Sequence, residues 1–228
     1  MSRPSKILLA AVAIASLCLS AAASAQRFYD PPGRVARISD MRGDVAYSPA
    51  GDGEWYSAQR NRPLVRGDAL WSDRGARAEL QSGSTWLRMD GETSVEFLEL
   101  SDRMLQLEVT EGSISLRIRR MYPGQRVEID TPNLALVLDR PGTYRIDVDR
   151  DGDHTAVETR EGSGVVYGVG GRFPVRRGDL VVFYGEDIRD YEIYSFPAPD
   201  NFDRYVRMRD QRIDRSPTLR YLGDDLIG

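Results

Sequence analysis

An all-β fold is what this sequence predicts: a sandwich, a roll or a short β-solenoid of many short strands, followed by one short C-terminal amphipathic helix. Three features predict it. Between Arg34 and about Asp187 apolar residues recur at every second position, turn-forming pairs interrupt them at short intervals, and only after Asp200 does the spacing change to three and four. The boundaries follow directly: residues 1–25 as a cleaved signal peptide, 34–187 as the β domain, and 188–228 as connector, helix and tail.

Arg3 and Lys6 provide a positive start, Ile7 to Ala15 an apolar run extended by Leu17, Cys18 and Leu19, and Ala23-Ser24-Ala25 an A-x-A cleavage signature before Gln26. A membrane span needs about 20 consecutive apolar residues. This run is shorter and broken by Ser16 and Ser20. Leu17 is too large for the position before a lipid-bearing Cys, so Cys18 reads as filler in the discarded segment. The expectation is export by a bacterial cell, cleavage at about Ala25, and a periplasmic or secreted, soluble product with no membrane span.

Within the β region, Leu105, Leu107 and Val109 alternate with Gln106 and Glu108, and Ile114, Leu116 and Ile118 with Ser115 and Arg117. Val127 and Ile129 follow the same rule, as do Tyr144, Ile146 and Val148. Such alternation buries one face of each strand. Leu134 to Leu138 is continuously apolar and predicts a strand buried on both faces. Turns are marked by Gly51-Asp52-Gly53, Asp90-Gly91, Pro123-Gly124, Pro141-Gly142, Asp151-Gly152 and Gly170-Gly171. Two echoes suggest equivalent turns. Arg66-Gly67-Asp68-Ala69-Leu70 is matched by Arg177-Gly178-Asp179-Leu180-Val181, and Glu111-Gly112-Ser113 by Glu161-Gly162-Ser163. After a Tyr- and Pro-containing connector, Asp200 is placed to cap a helix to about residue 213. Phe202, Tyr205, Val206, Arg209 and Ile213 fall on one spacing, and the outer face is rich in Arg and Asp.

Composition excludes several chemistries. The chain has one Cys and one His, and its only Lys is Lys6, so the exported product would hold neither Cys nor Lys and only His154. Disulfides, thiolate zinc sites, Cys nucleophiles and Schiff-base lysines are thereby excluded. The formal net charge of −4 becomes −6 when Arg3 and Lys6 leave, which gives no support for a nucleic-acid surface. No G-x-S-x-G or S-x-x-K motif is present, and the glycines at 162–171 do not form a dinucleotide fingerprint.

Asp147-x-Asp149-x-Asp151-Gly152-x5-Glu158 matches the calcium-loop pattern of an EF-hand. Strands flank it where helices are required, so it reads instead as a hairpin turning at Arg150-Asp151-Gly152-Asp153, with Asp147 and Asp149 toward solvent. The two Arg-Gly-Asp tripeptides read as turns, not adhesion motifs. Trp55, Trp71 and Trp86 read as core residues before sugar platforms. Arg204, Tyr205, Arg207, Arg209 and Arg212 form the candidate partner surface, because Arg and Tyr combine contact area with polar handles. A solvated helix docked on the β domain through Phe202 and Val206 is the competing expectation.

The stretch from about Val35 to Val182 resembles the FecR domain, named for the ferric-citrate sensor regulators of bacterial envelopes. The resemblance lies in Gly43-Asp44-Val45, Arg66-Gly67-Asp68-Ala69-Leu70, Ala76 to Leu80 and Gly83-Ser84-Thr85-Trp86-Leu87, in that order. Gly112 to Leu116, Val127 to Asn133, Gly142-Thr143-Tyr144-Arg145-Ile146, Val157 to Val166 and Arg177-Gly178-Asp179-Leu180 continue it. It implies an all-β periplasmic domain that relays or scaffolds and does not catalyse. In the sensor proteins this domain lies outside a membrane span and communicates with an outer-membrane receptor and a sigma factor. This chain shows no such span after the export signal. It is more similar to exported FecR-domain proteins of unassigned role that continue into a Tyr/Arg-rich tail, and ending at Ile227-Gly228 it suggests a piece of a longer protein. The functional expectation is a non-enzymatic scaffold or envelope signalling adaptor without cofactor or metal, binding an unknown envelope protein or glycan and no nucleic acid. A carbohydrate-active enzyme using surface carboxylates and a calcium-stabilised adhesin are the alternatives.

Overall fold

Period-two alternation produces strands, and their pairing produces two layers. The computed structural model describes residues 34–216; the predicted signal peptide and the last tail residues lie outside them. One layer, the first sheet, runs in the order β4 (Pro63–Leu64), β1 (Ala36–Arg42), β6 (Arg77–Ser82), β7 (Thr85–Met89), β9 (Met104–Ile118), β12 (Gly142–Val148), β13 (His154–Glu161), β16 (Leu180–Tyr184) and β17 (Tyr191–Tyr194). The second runs β3 (Tyr56–Ser57), β2 (Val45–Ser48), β5 (Ala69–Ser72), β8 (Thr93–Leu100), β9, β10 (Arg126–Asp130), β11 (Ala135–Leu138), β14 (Ser163–Gly168) and β15 (Gly171–Arg176). Every pairing is antiparallel except β9 with β10, where Leu105 stands opposite Val127. One helix follows, α1 (Asn201–Asp214).

β9 belongs to both layers. Its first half pairs with β8 and β10, and its second half with β7 and β12. The inward residues change parity on the way: Leu105, Leu107 and Val109 are odd, Ile114, Leu116 and Ile118 even, and all six are buried. Strict alternation cannot do this, so the backbone must break. It breaks at Gly112, whose φ of +93° is open to glycine and poorly tolerated by other residues. The same event recurs at Gly162, φ +94°, where Val157 and Thr159 of β13 hand over to Gly164 and Val166 of β14.

The two breaks share their chemistry. Ser113 N donates to Thr93 Oγ1 at 3.0 Å, and Ser163 N donates to Tyr144 Oη at 3.0 Å. A hydroxyl thus fills each gap in the ladder. The Arg-Gly-Asp echo is equally close. Gly67 N donates to Phe97 O and Phe97 N to Asp68 O; Gly178 N donates to Thr159 O and Thr159 N to Asp179 O. In both turns the Asp carboxylate accepts from the main chain three residues back, from Val65 N at 2.8 Å and Arg176 N at 2.7 Å. Each turn carries the chain from one layer to the other.

Between the layers lies one hydrophobic core. The first sheet contributes Ile38, Leu80, Leu116, Ile146, Val157 and Val181, and the second Leu70, Val95, Leu107, Val127, Leu136 and Val166, among others. Burial of such side chains at about 1.5–3 kcal/mol each suffices without covalent staples. The sandwich is therefore the member of the predicted class that forms.

Two local expectations change. β11 is buried on one face: Leu136 and Leu138 point inward, while Ala135 and Val137 stay partly exposed on the outer face of the second sheet. Small and β-branched residues tolerate that position, so an unbroken apolar run did not require two buried faces. The connector also contains a strand. β17 pairs with β16 from Leu180 opposite Tyr194 to Phe183 opposite Tyr191, and all four of its residues are exposed.

Candidate protein-interaction site

The outer face of the first sheet carries alternate polar residues: Asp40 on β1, Glu79 on β6, Arg88 on β7, Arg117 on β9, Arg145 and Asp147 on β12, and Glu158 and Arg160 on β13. Alternation reads such a face as solvated. The structure covers it with α1.

The helix begins where Asp200 stops the extended chain. Asp200 Oδ1 accepts from Asp203 N at 2.7 Å, and Asp200 N donates to Asp203 Oδ2 at 3.2 Å, a reciprocal capping box. Phe202, Tyr205 and Val206 form its apolar seat. That seat rests on guanidinium groups: Arg145 lies 5.5 Å from the Phe202 ring centre, and Arg77 lies 5.1 Å from that of Tyr205. Burial pushes the Tyr205 phenol up to about 12, with Glu79 adding to it.

Around the seat, charges of the helix interlock with charges of the sheet. Arg209 holds Glu79 with two bonds, 2.6 and 3.2 Å, and reaches Asp40 at 2.9 Å. Arg88 Nε donates to Glu79 Oε2, the oxygen it shares with Arg209 Nε, at 3.0 Å, and Arg88 lies 2.8 Å from Asp210 as an ion pair without hydrogen-bond alignment. Asp210 also meets Arg117 at 3.0 Å, and Arg117 spans both oxygens of Asp214 at 3.1 Å. At the other end Asp203 accepts from Arg145 at 3.0 Å and Arg160 at 2.6 Å. The Arg88 side chain is 0% exposed and that of Glu79 2%. Burial alone would raise the Glu79 carboxyl, but the bonds from Arg209 and Arg88 hold it below its ordinary range; Arg160 and Arg145 do the same for Asp203. Asp147 goes the other way, because burial outweighs its contact with Arg145.

The sequence-predicted residues therefore separate. Tyr205 and Arg209 face the sheet and hold the helix down. Arg204, Arg207 and Arg212 lie on the exposed side with Met208, which is 47% exposed. Arg204 is anchored to Pro199 O and Asn201 Oδ1 at 2.7 and 2.6 Å. Beside this side opens a crevice of about 780 Å³ including its mouth, lined by Phe196, Pro197, Val206 and Arg207 from the helical region and by Thr143 and Glu161 from the sheet.

The calcium-pattern residues also separate. β12 and β13 form the expected hairpin, with Asp149 N donating to His154 O and the turn at Arg150 to Asp153. Asp149 Oδ1 accepts from His154 N at 2.8 Å, Asp151 projects into solvent, and Glu158 is buried against Arg160 at 2.6 Å. Asp147 is not simply toward solvent: it accepts from Ser113 Oγ and from Arg145 at 2.9 and 3.0 Å. Among the described residues no group of three or more His, Cys, Asp or Glu is placed to hold a metal ion.

On the outer face of the second sheet, Glu96, Glu108 and Asp130 stand side by side on β8, β9 and β10. Burial and then the neighbouring Glu96 and Asp130 charges raise the Glu108 carboxyl. Gln106 donates to Asp130 at 2.6 Å. Of the tryptophans, Trp55 is exposed, Trp71 is partly exposed with its Nε1 donating to Asp73 at 2.7 Å, and Trp86 is buried. Trp86 lies on the helix-covered side, and Leu87 takes the core position. Trp86 is thus buried as expected, though outside the cluster between the layers, whereas Trp55 and Trp71 are not core residues.

Among the described residues no helix is long and apolar enough to cross a membrane. No family model matches the chain, and no curated protein matches it. The chain is similar to two crystal structures of a "putative anti-sigma factor" from Parabacteroides distasonis ATCC 8503, each at 14% identity and a TM-score of 0.47. One match covers 56% of this chain and 58% of the other; the second covers 61% and 64%. The matches span less than two thirds of either solved chain.

Proposed function

We propose that this protein is an exported, non-enzymatic FecR-like module that acts by binding, as an envelope scaffold or signalling adaptor, and that the outer side of α1 is its partner surface. The observation that carries this reading is the division of labour on the helix. Its inward charges are matched one against another in ion pairs with the sheet, the arrangement of a helix docked as a fixed platform. Its outward side combines Arg207, Arg212 and Met208 next to an aromatic- and proline-lined crevice. Arg with exposed apolar area is the composition of interface anchors, and a helix fixed by buried ion pairs presents them with little ordering cost. The ordered stations from Val35 to Val182 support the family and the envelope location.

A photo-crosslinking side chain at position 208, carried by the protein in its native envelope, is expected to give one discrete adduct. Exchanging Arg207 and Arg212 for Glu should abolish that adduct without altering the circular dichroism. Survival of the adduct in the charge-reversed variant would overturn the reading.

A second reading rests on the Glu96–Glu108–Asp130 row, since a raised carboxyl side by side with two further carboxyl groups is an arrangement suited to an acid–base pair. It requires hydrolysis of an envelope polysaccharide by the purified protein, lost in Glu108→Gln. Hydrolysis that persists in Glu108→Gln would exclude this site.

A further inference from the structure

Sheet edges are where backbone groups lack partners, and this molecule protects its edges unequally. β3 and β4 are two residues long. β15 is six residues long but carries Pro174, with Arg172 and Arg176 on the same outer side. β17 has no such guard. Its sequence, Tyr191-Glu192-Ile193-Tyr194, holds no Pro, Lys or Arg, and Ile193 is 63% exposed.

The register shows which main-chain groups are open. Tyr184 N donates to Asp190 O at 2.9 Å. By antiparallel alternation Glu192 and Tyr194 turn their N–H and C=O toward β16, whereas Tyr191 and Ile193 turn theirs away. The side chains divide as well. Tyr191 and Ile193 share the face of Val181 and Phe183, with the Phe173 ring centre 4.6 Å from that of Tyr191 and tilted 58° to it at the open end of the core. Glu192 and Tyr194 share the other face, where the Tyr194 hydroxyl donates to Glu192.

We propose that β17 pairs with β17 of a second copy, antiparallel about a two-fold axis through Ile193, so that the two first sheets become one. The strand is self-complementary in that register. Ile193 meets its own copy on the apolar face, and each Glu192 stands opposite a Tyr194 hydroxyl, the partner it already accepts from within the strand. Shifting the axis to Glu192 would oppose two carboxylates. A foreign strand could use the same edge, but nothing on the edge selects one, whereas the charge pattern selects its own image. This inference concerns assembly and goes beyond the partner role of α1. It stands or falls separately, because the crosslinking position on α1 is on another element.

The test uses the full chain in a Cys18→Ser background. In a hydrogen-bonded antiparallel pair the two Cα atoms at 193 would be about 5.5 Å apart, inside the span of a disulfide. The two at 192 would be roughly 8 Å apart, outside it. Mild oxidation is expected to convert Ile193→Cys to a covalent dimer and to leave Glu192→Cys and Met208→Cys monomeric. Sedimentation over about 5–500 µM, the range in which small interfaces associate, should show a monomer–dimer equilibrium. Ile193→Val should keep it, and Ile193→Lys should weaken it at least tenfold with unchanged circular dichroism. A wild type that is monomeric throughout, or Glu192→Cys crosslinking as readily as Ile193→Cys, would overturn the proposal.

Discussion

Replacing Arg88 by Met preserves most of the length and packing of the side chain while removing its charge and donors. In the folded protein Arg88 donates to Glu79 at 3.0 Å and sits 2.8 Å from Asp210, with no exposed surface. A hydrogen bond to a charged group contributes about 1.5–3 kcal/mol, and removing one partner of a buried pair costs about 3–5 kcal/mol because the other charge stays desolvated. Here part of the loss is offset. Glu79 keeps Arg209 and Ser39, and Asp210 keeps Arg117. The lower end of that range, about 3 kcal/mol, is therefore expected, equivalent to a fall in Tm of roughly 6–12 °C for a domain of this size. Urea denaturation of the wild type, Arg88→Met, Asp210→Asn and the double variant measures it. The pair should show a coupling of at least about 1 kcal/mol. A single-variant loss under about 1 kcal/mol, or additive singles, would mean that Arg88 is hydrated and that α1 does not cover the sheet.

Three further outcomes are expected. Gly112→Ala and Gly162→Ala should each cost about 2–4 kcal/mol, because the backbone there is left-handed and a Cβ would strike Thr93 or the Tyr144 hydroxyl; thermal melts check both. Glu79 and Asp203 have carboxyls held below their ordinary range, so their contribution to stability is fully present above the unfolded carboxylate range and is lost as pH falls through their lower folded values. Urea midpoints from pH 7 to about pH 2 should accordingly drop below about pH 4, and a Glu79→Gln variant should lose part of that acid dependence. Calcium at about 1 mM should leave Tm unchanged, since Asp147 and Glu158 are held by Arg145 and Arg160; a rise would contradict the hairpin assignment.

Much of the fold can be read along the chain because its signals are local. Alternation marks the strands, the Arg-Gly-Asp and Glu-Gly-Ser echoes mark equivalent crossings, and Asp200 marks the start of α1. A parity change from Val109 to Ile114 is also a local signal, and it locates the crossing of β9 at Gly112. The covered face is different. Glu79, Arg88 and Arg145 look like ordinary solvated strand residues; each has a partner on the sheet, but the charges that close over them come from α1, more than 50 positions downstream of any of them. Helical spacing marks Phe202 and Val206 as a docking edge but leaves Tyr205, which the sheet buries with them, on the candidate partner surface. It could not assign Arg209 inward and Arg207 outward, because that depends on which charges lie on the sheet beneath. β17 is not legible as a strand because its four residues are too few to establish a period and stand within a Tyr- and Pro-containing connector.

The fifteen residues of β9 have a bearing on how the chain acquires its shape. This one segment contacts β7, β8, β10 and β12, so it is the hub of both layers. Strands made earlier have no completed sheet to join until residues 104–118 arrive, and those made later extend outward from it. Such separation of contacting residues predicts slow folding. A nascent chain cut short before Ile118 would remain an open, aggregation-prone collection of hairpins.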